Sequence, residues 1–397
     1  MAGIQINTAN PVEANRLVPF ALGFRPFFLL AGLSAVLLML NWVMGFISGV
    51  SVSTQYPGTA WHAHEMIYGY TTAVIAGFLL TSVRNWTGMQ TATGGWLAAL
   101  ALLWLAGRIL PLFPGISNMW LAVVDLAFLP ALALAIAIPI VRARQWRNLF
   151  LVPMLLLLAA GNLLFHLGVM ARMAFGVEYA EHVGFGVIIL LIVIIAGRVV
   201  GFFMQRGLHN ADVKQWYWAD TLAIGGTLAY VVLQFFLQGM PLAIIAALAA
   251  IGHLARLIGW YQHAMWKVPL LWVLYVGYTW VFIGFILLGL ETLHWVNESL
   301  AVHSLTAGAI GTMTLGMMAR VSLGHTGREM KSHWSLDLAF VLITAAALVR
   351  VFLPMLYPVL LLSAIKWSGV LWALAFTLFV IVYAPKLLKA RIDGMPG

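Results

Sequence analysis

Eleven histidines, twelve carboxylates and no cysteine make up the chain's stock of strong metal-ligating side chains. Any metal or haem would therefore rest on imidazole, carboxylate, methionine or water, while disulfides and covalent haem attachment are excluded. The densest constellation is Trp61-His62-Ala63-His64-Glu65-Met66. On a regular helix His62 and His64 point about 200° apart and cannot chelate one ion. Either they serve different sites, or a helix begins between them. Glu65 stands three residues after His62 and has two readings: it accepts the second ring hydrogen of a ligating imidazole, or it sits as a carboxylate at a positive helix N-terminus. Asn162 and His166 are one helical turn apart inside an apolar run, whereas Glu178 and His182 read as an ordinary surface pair.

His303 precedes Thr306, Ala307, Gly308, Gly311 and Thr312, small residues at helical spacing. Such a stripe lets two helices approach closely, and it would equally let the flat face of a porphyrin lie below an axial histidine. Met313, Met317 and Met318 read as core packing rather than ligands.

The elements that must position these residues are membrane helices. The chain has 397 residues, 63% hydrophobic and 8% charged, with a mean hydropathy of +0.98. No polar stretch is long enough for a soluble domain, so one integral membrane domain over 1–397 is expected, all-α and polytopic. Apolar runs long enough to cross about 30 Å of hydrocarbon fall at 25–47, 60–82, 96–113, 117–141, 149–171, 183–204, 215–237, 241–262, 270–290, 301–321, 335–356 and 360–384. These are twelve transmembrane helices, punctuated by Pro57-Gly58, Pro111 and Pro114-Gly115. The polar first twenty residues carry no clear cleavage site, so the first helix is expected to persist.

With both termini in the cytoplasm, every basic residue except Arg108, Arg172, Arg350 and Lys366 falls near a cytoplasmic helix end, as positive-inside topology requires. The +9 net charge is thus a topology signal, and nucleic acid is not an expected partner. His62, His64, His166, His182, His294 and His303 then gather at outer helix ends. Intramembrane polar groups face partners rather than lipid. Several imidazoles at one depth favour a metal or haem on the periplasmic side, and Arg108, Arg172 and Arg350 could meet haem propionates there. Asp125 and Glu65 would orient ligands or relay protons, or else neutralise an arginine. A weak repeat every four helices pairs His62 or His64 with Arg84, His182 with Arg198, and His303 with Arg320. It is compatible with a pseudo-threefold arrangement.

Gly23-Phe24-Arg25-Pro26-Phe27-Phe28, Trp61-His62-Ala63-His64-Glu65-Met66, Gly77-Phe78-Leu79-Leu80-Thr81, Arg84-Asn85-Trp86-Thr87-Gly88 and the run from His303 through Arg320 to Leu323-Gly324-His325-Thr326-Gly327-Arg328 together resemble the NnrS family of nitric-oxide-response membrane proteins. The resemblance covers nearly the whole chain. It implies a bacterial inner-membrane protein with haem b and copper, associated with nitrosative stress and denitrification, and it carries over onto His62, His64, Asn162, His166, His303, His325 and Arg328. One departure is Gly201, where the family more often has proline. Twelve helices with histidines on the second and tenth also resemble the large subunit of haem-copper oxidases, in architecture only.

Together these readings lead to the expectation of a haem-copper protein handling nitric oxide, with an unidentified electron donor. Haem would sit on His62 or His303, copper on two or three of His64, His166 and the remaining histidine. The competing expectation is a transporter of haem, copper or a nitrosylated iron complex. The turns around Arg84, Arg320, His325 and Arg328 read as structural locks or a proton-entry region.

Overall fold

A computed structural model describes residues 15–395 except 51, 52, 54 and 57; Pro57, one of the turn markers, lies outside the described residues. The described chain folds into helices joined by short turns. In order they are α1 (Phe24–Ser48), α2 (Gly58–Thr87), α3 (Gly94–Leu112), α4 (Asn118–Arg142), α5 (Trp146–Val169), α6 (Gly176–Gly207), α7 (Tyr217–Leu233), α8 (Met240–Trp260), α9 (Pro269–Glu291), α10 (Glu298–His325), α11 (Trp334–Leu356) and α12 (Pro358–Leu388).

Eleven are long and apolar enough to cross a membrane, and α7 is a shorter apolar helix of 17 residues. At 1.5 Å per residue α7 reaches about 25 Å, which accounts for its falling short. The expected twelve elements are thus all present as helices, and the chain is a multi-pass α-helical membrane protein. Several helices outrun their apolar cores, because the backbone keeps its own hydrogen bonds past the hydrocarbon edge. Through Gly201 α6 runs on unbroken to Gly207.

The packing divides the chain into two compact units. The first comprises residues up to 184, 318–331 and those from 376 onward; the second comprises 185–317 and 332–375. Within the first, α1 packs on α2, and α4 packs on α2, α3 and α5. Within the second, α7, α8, α9 and α10 each pack on the next, and α11 on α10. Leu33, Leu37, Leu40 and Met44 of α1 stay exposed, as a lipid-facing stripe would.

Two helices depart from α geometry. In α2 a π-helical segment, Glu65–Thr71, follows Gly58–His64; in α10 an equal one, Ser304–Ile310, follows Glu298–His303. Such segments widen the turn, leave carbonyls without their usual partner and collect at functional sites. Hydroxyls take up part of that deficit: Thr71 donates to the Met66 carbonyl at 2.7 Å and Ser304 to Ala301 at 2.6 Å. His64 and His303 are the last residues before the two π segments.

The Gly-Phe-Arg-Pro-Phe motif starts α1 and holds the first unit together. Phe24 N–H donates to Thr81 Oγ1 at 3.1 Å, and a side chain at Gly23 would collide with Leu80. Arg25, 1% exposed, donates from Nη1 to the carbonyls of Leu387 at 3.0 Å and Lys389 at 2.5 Å. A guanidinium on the last carbonyls of α12 satisfies groups the helix cannot and meets the negative end of its dipole.

Candidate metal centre

In unit 1 the π segment of α2 begins directly after His64, and that imidazole is buried at 1% exposure. Its Nδ1 faces Glu65 Oε1 at 3.0 Å; its Nε2 faces Asp125 Oδ2 at 3.1 Å and Asn162 Oδ1 at 3.0 Å. From α5, His166 Nε2 reaches the same Asp125 oxygen at 3.1 Å, and Asn162 Nδ2 donates to it at 2.7 Å. Side chains of α2 and α5 therefore meet at Asp125 Oδ2, and α3, through Arg108, meets the other oxygen of the carboxylate that α4 supplies. Arg108 Nη2 donates to Asp125 Oδ1, and its Nη1 faces Glu65 Oε2 at 3.5 Å.

One ligand atom each from His64, Asp125 and His166 lies within 4.8 Å of the others. Two imidazoles and a carboxylate are a donor set for borderline divalent ions, among which copper binds most tightly for a given set of ligands. Both nitrogens of His64 face only acceptors, an arrangement that needs two ring protons or a metal in place of one. The two carboxylates against one guanidinium leave one negative charge, which the second ring proton of His64 or a metal cation in its place balances. The Tyr56 ring packs on both histidines, at 5.4 Å from His64 and 6.0 Å from His166, and its buried hydroxyl has no partner among the described residues. Burial raises the Tyr56 hydroxyl above its ordinary pKa, so it stands as a neutral donor beside the group. Phe165 stacks on His64 at 4.3 Å and closes the other side. The residues present fit a small metal ion.

His62, two residues earlier, points elsewhere: its ring stacks on Trp42 at 4.5 Å. The opposed directions expected of the pair on a helix are what the chain adopts. Glu65 serves His64 and Arg108 rather than His62, because His62 has turned to Trp42. Arg108, expected as a haem-propionate partner, here meets Asp125 and Glu65, and those two acids face both the arginine and the His64 ring, so each of their two readings describes a contact they make; Arg172 is exposed in the turn after α5. His182 hydrogen-bonds the Glu178 carbonyl at 2.9 Å, the surface pairing anticipated.

At the C-terminal ends of α2 and α10, His325 Nε2 meets Asn85 Nδ2 at 3.3 Å and its carbonyl accepts from Arg391 at 3.1 Å, while Arg391 pairs with Asp393 at 2.6 Å. Arg84 gives its carbonyl to Gly88 N–H, Arg320 is buried in α10, and Arg328 donates to the Thr326 carbonyl at 3.4 Å.

His303 belongs to unit 2 and has its own neighbours. Its Nδ1 is 2.6 Å from the Ser299 carbonyl, which can only accept, so Nδ1 carries the proton and Nε2 is the lone-pair nitrogen. Arg350 Nη2 donates to that Nε2 at 3.2 Å and to Ser299 Oγ at 3.1 Å. The imidazole has the tautomer of an axial ligand, with its second nitrogen held by a backbone carbonyl. The small-residue stripe is closed by indoles: a side chain at Gly308 would strike Trp280 and one at Gly311 would strike Trp372. Close packing, not a porphyrin face, is what those glycines serve.

Sequence reasoning underrated two residues. Asp125, a lone acid in an apolar run, was legible as functional, yet its place at the centre of the group depends on where α3 and α5 bring Arg108 and His166. Tyr56 lies before α2 in a turn, with no signal beyond an aromatic next to Pro57.

No curated protein matches the chain. The family described as NnrS protein matches residues 18–391. That span takes in every helix described above and both histidine segments, so the chain is a member of the NnrS family.

Proposed function

We propose that this protein is a metal-dependent membrane protein of the nitric-oxide response, binding copper at His64, Asp125 and His166 and haem b at His303. The observation that carries the copper assignment is the convergence of two buried imidazoles and a carboxylate from three helices, beside a tyrosine hydroxyl that has no partner among the described residues. The haem assignment draws on the His303 tautomer alone, since Trp280 and Trp372 fill the space at Gly308 and Gly311. In this reading the sites lie toward the periplasmic face of a bacterial inner membrane, with both termini cytoplasmic, in a cell exposed to nitrosative stress or denitrifying.

A copper ion in this group would supply one-electron chemistry to a small molecule such as nitric oxide, with electrons from a separate donor. The chain's own contributions are positional. Glu65 and Asn162 fix the His64 ring from both sides. Arg108 balances the charge on Asp125 Oδ1. Tyr56 offers a hydrogen bond to whatever occupies the position next to the metal, and Phe165 excludes water.

The test is metal and optical analysis of the purified full-length protein supplied with copper and haem. Wild type is expected to retain close to one copper per chain after dialysis against chelator and to show a Soret band. His64→Ala and His166→Ala should each lose copper roughly tenfold or more, on the scale of removing a buried ligand, with the Soret band kept; His303→Ala should alter the Soret band with copper kept. Copper retained equally in all three variants sinks the first assignment. A metal that exchanges freely and is carried into vesicles would mean a transporter instead.

A further inference from the structure

Arg350 of α11 is a cation that the described residues leave without a counter-ion. Its Nη2 donates to two neutral acceptors, Ser299 Oγ and His303 Nε2. Its Nη1 is shut off from the surface and meets no acceptor among the described residues. No carboxylate of the described residues lies close enough to offset its charge. A half-buried charge without a counter-ion is a place where an anion gains on arrival.

Unit 1 builds the same device with the acids in place. There too a histidine ends an α segment, a π segment of equal length follows, a glycine stands five residues on (Gly69, as Gly308 does after His303), and an arginine arrives from the next helix. His64 is followed by Glu65, and Arg108 lies between Glu65 and Asp125. His303 is followed by Ser304, whose hydroxyl is turned back onto the Ala301 carbonyl. The arginine is present in both devices and the carboxylates in one.

We propose that Arg350, with Ser299 and His303, binds a small planar oxyanion with two accessible oxygens, of the carboxylate or nitrite type. A guanidinium edge matches two coplanar oxygens with parallel hydrogen bonds. Nη1 supplies the unused donor, and Nη2 turns from His303 to supply the other. Because the Ser299 carbonyl holds Nδ1, that movement leaves the His303 Nε2 lone pair exposed without rotating the ring. The anion thus releases the imidazole for a ligand. It comes either from solution or from the carboxylate arm of a cofactor seated at His303.

The experiment uses full-length protein purified in detergent without metal or haem, so that the outcome does not depend on the copper site. Sodium nitrite and sodium formate are titrated calorimetrically against a sodium chloride control. Wild type is expected to take up nitrite or formate saturably, one per chain, and Arg350→Gln to bind roughly tenfold or more weakly, the scale of charge-assisted hydrogen bonds. Arg350→Lys keeps the charge without the fork; it should bind more weakly than wild type, and it stands in if Arg350→Gln is not recovered folded. If wild type binds neither anion but haem-supplied Arg350→Lys loses haem that wild type keeps, the anion is the cofactor's own carboxylate. Equal uptake by wild type and both variants, or no uptake together with haem retention unaffected by either substitution, overturns the proposal.

Discussion

The histidine devices of the two units start from the same local grammar and end in opposite electrostatic states. At His64 the arginine from the neighbouring helix is clamped between two carboxylates, and both imidazole nitrogens face acceptors. At His303 the arginine meets a hydroxyl and an imidazole lone pair. The first holds one carboxylate more than its arginine balances, a charge that a second ring proton on His64 or a metal ion in its place makes up, and it invites a cation. The second is positive and invites an anion. One acidic residue beside the histidine and another on a neighbouring helix are enough to reverse what a histidine-arginine pair attracts.

The widest separation between the two is expected from removing the central charge of each. Asp125→Ala strands Arg108 and takes the shared acceptor from His64, Asn162 and His166; breaking a buried charge network of this kind costs about 3–5 kcal/mol. Arg350→Gln removes a charge that has no counter-ion among the described residues, so in anion-free buffer it should change stability by less than about 1 kcal/mol, or raise it. Thermal unfolding of the two detergent-solubilised variants makes the comparison directly. Equal losses would mean that Arg350 is balanced by something in the protein, and the contrast would fail.

A smaller separation is expected at the paired glycines. A methyl at Gly308 meets the rigid Trp280 indole, whereas one at Gly69 meets Arg108 Nη1 at 2.8 Å and Glu65 Oε2 at 3.0 Å, the mobile ends of two side chains. Overpacking a rigid neighbour costs about 1–3 kcal/mol, so Gly308→Ala should lower the melting temperature more than Gly69→Ala does. Gly69→Ala should instead lower the copper content, since the pair it displaces holds His64 and Asp125. Copper content unchanged in Gly69→Ala, with the larger melting shift in that variant, would reverse the roles given to the two glycines.

Much of this was legible in the sequence, for physical reasons that differ by level. The helices follow from runs of about 20 apolar residues, because lipid leaves the backbone no other way to satisfy its polar groups. His64, His166 and Asn162 could be picked out because polar groups at membrane depth need partners. Their pairing with Asp125 could not, since it depends on the rotation of α4 against α2 and α5, which hydropathy does not encode. His62 was grouped with that pocket by depth and by resemblance. Depth along the membrane normal fixes one coordinate, and the other two take the His62 ring to Trp42. The π segments were invisible as well, for nothing in Glu65–Thr71 or Ser304–Ile310 departs from helical composition.

The finest test of the contrast converts one device toward the other. Ser299→Asp places a carboxylate where Ser299 Oγ now accepts from Arg350 Nη2 at 3.1 Å, one residue into α10, where the positive end of the helix dipole also favours it by about 0.3–1 kcal/mol. The new pair replaces a neutral hydrogen bond, and its Coulombic gain is largely offset by desolvating the acid. The net gain in stability is therefore expected to be about 1 kcal/mol or less. The sharper readout is anion uptake: with Arg350 balanced internally, as Arg108 is by Asp125 and Glu65, nitrite and formate should no longer bind to the metal-free protein. If Ser299→Asp still binds them as wild type does, the positive charge at Arg350 is not what recruits the anion, and the two devices differ in their acids without differing in what they attract.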